Sequence, residues 1–369
     1  MSTAPDHTLA QVIPGLLDGG FGLEPARAVA LLLVDGLGSE LLAAHAADAP
    51  FLAALPDAGP LAVGFPSSTV ISLASLGTGL PPGGHGLLGT SMRLTDELVM
   101  DTLRWTEHGT QGRVDLRESW VPETVQPVPT VFERAAAGGI GVTVVSQPKF
   151  QGSGLTRAVL RGGDYVGAHA FGDLAAAMLT ALAEPGRRLV YGYHADLDAM
   201  GHVYGPGSLP WRLQLTQVDR LVETVATRLP PDALLAVTGD HGMVTMDRTF
   251  DADTDPDLRA GVRTLSGEPR ARHAHAEPGA AADVLATWQG VLGDAAWTVS
   301  REQAVDEEWF GPVSAEFAGR IGDVVAAARG TSGVIRSNAE AFLSRMIGQH
   351  GSTTTAERLV PLLVARGVR

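Results

Sequence analysis

The 369-residue chain contains no cysteine, which excludes disulfides, a thiolate nucleophile and Cys-type structural zinc sites. The informative pattern is where its carboxylates and histidines fall. Asp35 follows the apolar run Ala-Leu-Leu-Leu-Val. Asp240 and His241 follow Leu-Leu-Ala-Val-Thr-Gly, and Asp198 and His202 come shortly after Leu-Val-Tyr-Gly-Tyr. Each set lies just past the carboxyl end of an expected strand, where open parallel sheets place their ligand sites. Carboxylates and imidazoles gathered there, with no basic cluster among them, repel one another unless cations sit between them. Asp198 and His202 are spaced i,i+4, which puts both on one face of a helical turn. Asp240 and His241 are adjacent, so a turn lets both reach one ion. Mixed Asp and His donors suit zinc or manganese better than calcium, which prefers oxygen alone.

A hydroxyl completes the constellation. Thr69 opens the segment Thr-Val-Ile-Ser-Leu-Ala-Ser-Leu directly after Phe-Pro-Ser-Ser. This reads as a loop feeding a helix N-terminus, whose free N–H groups and dipole favour a phosphate oxyanion. A hydroxyl there that faces a metal can ionise and attack phosphorus.

The elements that must position these groups are legible as short apolar runs bounded by Gly, Pro or Asp. Strands are expected at Ala28–Val34, Leu61–Phe65, Ile140–Val145, Leu189–Tyr193 and Leu234–Thr238. Between them lie helical patterns. The clearest is Trp211–Leu229, with Leu215, Val218, Leu221, Val222, Val225 and Leu229 on one stripe and Pro230-Pro231 stopping it. Such alternation predicts an α/β fold with a doubly wound, mainly parallel sheet and helices on both faces. Two stretches interrupt it. Arg93–Pro129 is polar and reads as a surface excursion. Residues 247–345 carry their own strand- and helix-like pieces, at Arg270–His275, Ala280–Val291, Trp297–Ser300 and Val324–Ala328, and read as a small inserted cap. The core is then 1–246 together with 346–369.

Taken in order, these motifs resemble the type I phosphodiesterase/nucleotide pyrophosphatase branch of the alkaline phosphatase superfamily. The resemblance is carried by Val34-Asp35-Gly36, by Pro66-Ser67-Ser68-Thr69, and by Thr78-Gly79-Leu80-Pro81-Pro82-Gly83-Gly84-His85-Gly86. It continues in Leu197-Asp198-Ala199-Met200-Gly201-His202, Asp240-His241-Gly242-Met243 and Gln349-His350-Gly351, ahead of the apolar strand Leu359–Val364. These five motifs, with Pro66–Thr69 and Thr78–Gly86 as the two segments of one, follow the family's order from Asp35 to His350 and cover nearly the whole chain. The resemblance implies an alkaline-phosphatase-like fold and two divalent metal ions, zinc or manganese. One ion would take Asp35, Thr69, Asp240 and His241, and the other Asp198, His202 and His350. It implies Thr69 as nucleophile, a phosphothreonine intermediate, and a small-molecule phosphate ester as substrate. Two departures stand out. Ser68 replaces the lysine that precedes the nucleophile in nucleotide-cleaving members. Thr90 stands where they keep an asparagine that holds the phosphoryl oxygen, and its hydroxyl can still donate.

Other candidates carry less. Arg270, Arg272, His273 and His275 read either as a solvated basic strand or as substrate contacts, with Arg270 and His273 the ones expected to touch substrate alongside Thr90. His85 sits beyond the nucleophile helix and reads as structural. Asp35-Gly36-Leu37-Gly38 lacks the third glycine and spacing of a dinucleotide loop.

Composition bounds the partners. A net charge of −14, with Lys149 the only lysine, disfavours a nucleic-acid polymer, because phosphate contacts need clustered cations. Met1–Gly20 has no basic n-region or long apolar core, and no apolar run reaches a membrane-spanning length, so a cytoplasmic protein without membrane contact is expected. The reading is a two-metal phosphodiesterase or nucleotide pyrophosphatase-like hydrolase. The alternatives are a phosphomonoesterase or phosphonate hydrolase of the same superfamily and, in another class, a catalytically silent metal-binding protein.

Overall fold

Seven consecutive apolar residues, Ala28–Val34, form the central strand and are buried along their whole length. In the computed structural model, which describes residues 7–109 and 114–368, side chains alternate across this strand. Val29, Leu31 and Leu33 enter one core, and Ala28, Ala30, Leu32 and Val34 the other. That is why the run is apolar without alternation: both faces of the sheet are covered.

The strands used below are β1 (Ala28–Val34), β2 (Gly141–Ser146), β3 (Asp164–Gly167), β4 (Arg188–His194), β5 (Ala233–Thr238), β6 (Val262–Glu268), β7 (Ala271–Ala276), β8 (Ala296–Ser300), β9 (Val324–Ala328) and β10 (Leu362–Arg366). The helices are α1 (Thr69–Thr78), α2 (Phe171–Ala183), α3 (Asp196–Tyr204), α4 (Leu209–Ala226) and α5 (Ala281–Leu292). The main sheet runs β10-β5-β1-β4-β2-β3. All its neighbours are parallel except β10, which lies antiparallel on β5. The fold is α/β with a mainly parallel sheet. Helices α2 and α4 cover one face, with Trp211, Leu215, Val218 and Val222 of α4 buried against it. Helix α1 covers the other through Val70, Ile71, Ala74 and Leu76.

Four expected strands lie within a residue or two of the observed ones, and the fifth differs. Leu61–Phe65 shortens to Leu61–Ala62 and pairs antiparallel with Leu359–Val360, outside the main sheet. Gly64 and Pro66 close the run, and proline lacks the N–H a ladder needs. The edge strand β3 (Asp-Tyr-Val-Gly) is too polar to stand out in the sequence. Helix α4 ends at Ala226, before the Pro230 stop, and the Thr227 and Arg228 N–H groups still bond the Glu223 and Val225 carbonyls at 3.0 and 3.1 Å.

The 247–345 segment builds a second, antiparallel sheet, β6-β7-β9-β8. One face packs on α5 through Leu265, Ala274, Val284, Trp288 and Val324. On the other, Ala271, Val325 and Ala327 join the core that contains Leu31 and Leu33. The expected excursion at 93–129 is likewise anchored. Trp105 is fully buried and donates from Nε1 to the Trp120 carbonyl at 2.7 Å. Residues 110–113 of that stretch, and 1–6 of the Met1–Gly20 reading, lie outside the described residues. Among the described residues no helix is long and apolar enough to cross a membrane.

Candidate metal centre and nucleophile

Strands β4, β1 and β5 are neighbours at the middle of the sheet, so the segments after their carboxyl ends converge. Asp35 follows β1 with its N–H on the His194 carbonyl at 2.9 Å. Gly36 has φ +77°, and a Cβ there would lie 3.0 Å from Asp198 Cα. Only glycine lets the Asp35 turn approach α3 this closely. Asp198 and His202 share a face of α3, with His202 Nε2 3.2 Å from Asp198 Oδ2, as their spacing predicts. His350 arrives from far along the chain. Gly348–Gln349 pairs antiparallel with Val244–Thr245 just beyond Asp240-His241, and Gly351 accepts the Ser67 N–H at 3.0 Å.

The three imidazoles are oriented by backbone. The Nδ1 of His202 donates to the Gly348 carbonyl at 2.7 Å, that of His241 to Gly242 at 3.0 Å, and that of His350 to Ser67 at 3.0 Å. This turns every Nε2 toward the carboxylates, the arrangement metal-ligating histidines take. Burial acts to lower the His202 pKa, but Asp198 outweighs it and leaves it raised. His241 Nε2 lies 3.3 Å from Asp35 Oδ1 and 3.5 Å from Asp240 Oδ2, and His350 Nε2 lies 3.8 Å from Asp198 Oδ1. The His241 and His350 rings stack with centroids 3.5 Å apart. Two groups could each hold an ion: Asp198, His202 and His350, and Asp35, Asp198 and His241, with Asp198 common to both. Thr69 is the first residue of α1, and its Oγ1 lies 3.2 Å from His241 Nε2.

The electrostatics fit a cation. Asp35 Oδ1, Asp198 Oδ1 and Asp240 Oδ2 are buried without a hydrogen-bond partner. Burial pushes the Asp35 carboxyl well above its ordinary range, and the charges of Asp240 and Asp198 push it the same way. Burial likewise raises Asp240. Asp198 also suffers burial, but His202 and His350 outweigh it and hold its carboxyl low. Burial and the neighbouring His241 hold His350 far below the usual imidazole range, which keeps its Nε2 unprotonated. Buried carboxylate oxygens with no protein donor carry a desolvation cost that a divalent ion, bound with neutral imidazoles, offsets.

A cleft of about 780 Å³ opens over Thr69, Asp198, His202 and His350. Thr90 and Glu268 form one wall, residues around Leu103–His108 a second, and Asn338–Met346 a third. Thr90 is therefore at the cleft, as expected. Arg270 and His273 are not, and neither reading of their cluster, solvated strand or substrate contact, describes where they sit. Arg270 is fully buried, with a two-pronged pair to Glu357 at 2.7 Å on each prong. Arg272 is buried on Glu340 in the same way. His273 accepts from the Gly322 N–H, and burial pushes its pKa down to about 3; for His275 burial gives about 2. Strand β7 lies between two sheet neighbours and two cores, so its basic side chains must pair internally. His85 is also buried, against Ser75 at 3.2 Å, away from the cleft.

Breaking the Arg270–Glu357 pair tests that correction. Arg270→Met strands a buried carboxylate and is expected to cost about 3–5 kcal/mol in urea unfolding, with Glu357→Leu recovering much of the loss in the double variant. A stable Arg270→Met protein with weakened substrate binding would return Arg270 to the cleft.

Two residues of the site carry no signal in the sequence. Tyr193, whose hydroxyl bonds Asp35 Oδ2, belongs to the apolar run of β4 and is indistinguishable there from a core residue. Glu268, at the cleft wall, has no local pattern to mark it.

The profile of the family described as type I phosphodiesterase / nucleotide pyrophosphatase matches residues 29–353. The chain belongs to that family, one of phosphoester hydrolases. The mouse catalytic subunit of GPI ethanolamine phosphate transferase 3 is 35% identical over 66 residues, 18% of this chain and 6% of that longer protein. Murine ectonucleotide pyrophosphatase / phosphodiesterase 5, an inactive threonine-to-alanine variant in complex with AMP, shares the fold with a TM-score of 0.68. It is 16% identical, with 92% of this chain and 89% of that one covered. Phosphonoacetate hydrolase from Sinorhizobium meliloti 1021, in complex with phosphonoacetate, gives 0.65 at 18% identity, covering 92% and 90%.

Proposed function

We propose that the protein is a metal-dependent phosphodiesterase that works through a phosphothreonine on Thr69. The observation that carries the reading is Thr69 Oγ1 at the N-terminus of α1, 3.2 Å from His241 Nε2, above a cluster of buried, unpartnered carboxylate oxygens. Asp35, Thr69, Asp240 and His241 would hold one divalent ion, and Asp198, His202 and His350 a second, zinc or manganese in each case. Bound there, the ions would neutralise phosphoryl oxygens and lower the pKa of a coordinated hydroxyl.

The chain's own groups supply the rest. The N–H groups and dipole at the start of α1 favour a phosphoryl oxyanion beside Thr69, and the Thr90 hydroxyl can donate to it from the cleft wall. Thr69 Oγ1, its proton given up to solvent, would form a bond to phosphorus as the substrate's alkoxide leaves; water would then cleave the phosphothreonine, releasing the remaining phosphate monoester and returning a proton to Oγ1. Tyr193 and the three backbone carbonyls that accept from Nδ1 keep the cluster oriented. The murine relative that holds AMP and is inactive with alanine for threonine supports a reacting threonine and a phosphate-ester substrate.

A diester is favoured over a monoester. A monoester dianion brings one more charged oxygen, which needs a cation beside the nucleophile. Arg93 bonds Asp96 and the Gly319 carbonyl, while Arg270 and Arg272 are buried on Glu357 and Glu340. Arg104 of the cleft wall is tied to Asp101 at 2.7 Å. The commitment of these four arginines to other partners equally disfavours a phosphonate that carries its own carboxylate. Desolvating an unpaired anionic oxygen costs several kcal/mol, so kcat/KM for bis-p-nitrophenyl phosphate is expected to exceed that for p-nitrophenyl phosphate by about a hundredfold. A monoester preference at the same pH and metal overturns the diesterase assignment, and absence of turnover on both returns the silent metal-binding protein.

A further inference from the structure

Glu268 overlooks the cleft without belonging to either group of ligand candidates. It ends β6 at the tip of the β6–β7 hairpin, where Gly267 has φ +88° and a Cβ would lie 2.1 Å from the Ala271 carbonyl. The tip is held from three sides. Ser91 Oγ donates to the Gly267 carbonyl at 2.8 Å, Arg270 is clamped by Glu357, and Gly351 packs so closely that its Cβ would lie 2.9 Å from Glu268 Cγ. The side chain therefore has little freedom to turn away. It is 4% exposed, yet it forms part of the cleft wall with Thr69 and Thr90. Its Oε2 accepts the Thr90 N–H at 2.7 Å, while Oε1 is buried with no hydrogen-bond partner of normal geometry.

Burial has the largest effect on the Glu268 carboxyl and leaves its pKa raised, while the Thr90 N–H at 2.7 Å and the charge of Arg272 act toward the ionised form. Ser68 immediately precedes the nucleophile, and Thr90 holds the place of the expected phosphoryl-oxygen donor. A carboxyl fixed on the Thr90 N–H therefore stands at the wall of the cleft that Thr69 also lines.

We propose that Glu268 sets the charge of the ester this site accepts: its carboxylate repels a dianionic phosphoryl group and leaves the singly charged diester as the species that fits. This rests on the phosphoester-hydrolase reading above. It adds to the commitment of Arg93, Arg104, Arg270 and Arg272 to other partners a reason of opposite kind, a built-in repulsive group. Specificity often depends on such a group as much as on attraction. It also gives the second sheet a role, since the β6–β7 tip is what delivers the charge.

The test is calorimetric titration of metal-reconstituted protein with inorganic phosphate, at a pH where phosphate is a dianion, and with dimethyl phosphate, a monoanion. Wild-type protein is expected to bind dimethyl phosphate at least as tightly as phosphate. Glu268→Gln keeps the shape and an acceptor for Thr90 but removes the charge. It is expected to tighten phosphate binding by about tenfold or more, as the loss of a close like-charge contact requires. Glu268→Asp keeps the charge and is expected to retain the discrimination. The ratio of kcat/KM for p-nitrophenyl phosphate to that for the bis ester should rise in parallel in Glu268→Gln. Phosphate affinity unmoved in Glu268→Gln, or moved equally in the Gln and Asp proteins, overturns the proposal. So does a wild-type protein that binds phosphate far more tightly than dimethyl phosphate, a result that needs no variant to fold. Failure of the hydrolase reading shows separately, as wild-type protein that turns over neither ester, and the titrations still decide the role of Glu268.

Discussion

Thr69→Ala is expected to lower kcat by on the order of a thousandfold or more while fold and metal content stay close to wild type. The hydroxyl is neither a carboxylate nor an imidazole, and its Oγ1 makes a single hydrogen bond there, to His241 Nε2 at 3.2 Å. Removing it takes no carboxylate or imidazole from the buried set. As the first residue of α1 it is also not the side chain that caps the helix, so alanine, a strong helix former, is tolerated. Thr69→Ser keeps the oxygen and should keep a measurable fraction of turnover. Rapid-quench labelling with a slow diester should trap phosphate on the wild-type chain and none on Thr69→Ala. Activity of Thr69→Ala within about tenfold of wild type would make a water molecule the nucleophile and remove the phosphothreonine from the mechanism.

The second large effect concerns the metals. Reconstituted protein is expected to carry about two equivalents of zinc or manganese, and chelation should abolish turnover, because three buried carboxylates then face one another with no counter-charge. His350→Ala is expected to lose chiefly one equivalent. His350 lies 3.8 Å from Asp198, and its Nδ1 is already committed to Ser67, so nothing in the cluster can swing in to replace its Nε2. Mutating a residue that merely orients a ligand costs about 10–100-fold in metal affinity, and removing the ligand itself should cost more. Elemental analysis after equilibrium dialysis against buffered metal reads both quantities. A stoichiometry of one or less in saturating metal would remove the two-ion arrangement. Loss of both ions together in His350→Ala would mean that Asp198, which lies in both groups, couples them into one site.

Most of the cluster is legible in the amino-acid sequence because its members obey local rules. Asp35, Asp198 and Asp240 each follow a short apolar strand, and a parallel sheet delivers such positions to one edge whatever lies between them. The Asp198–His202 contact follows from helical spacing alone. Thr69 at a helix start is a matter of the residues on either side of it. His350 is reached only through the family resemblance, since nothing around Gln349-His350-Gly351 says that a two-residue ladder to Val244–Thr245 will carry it to the others.

The chain's primary structure thus specifies the sheet of buried apolar strands, the edge at which chemistry gathers, and the kinds of donor found there. Which charged residues line the cleft is decided by packing in three dimensions. Arg270 and Glu268 stand two positions apart on one hairpin, both charged, and no pattern distinguishes them. The fold buries Arg270 on Glu357 and leaves an oxygen of Glu268 unpartnered at the cleft. The difference arises because a buried charge must find its partner in space, and those partners come from distant segments. Their proximity follows from how the second sheet docks on the first, which short-range periodicity does not record.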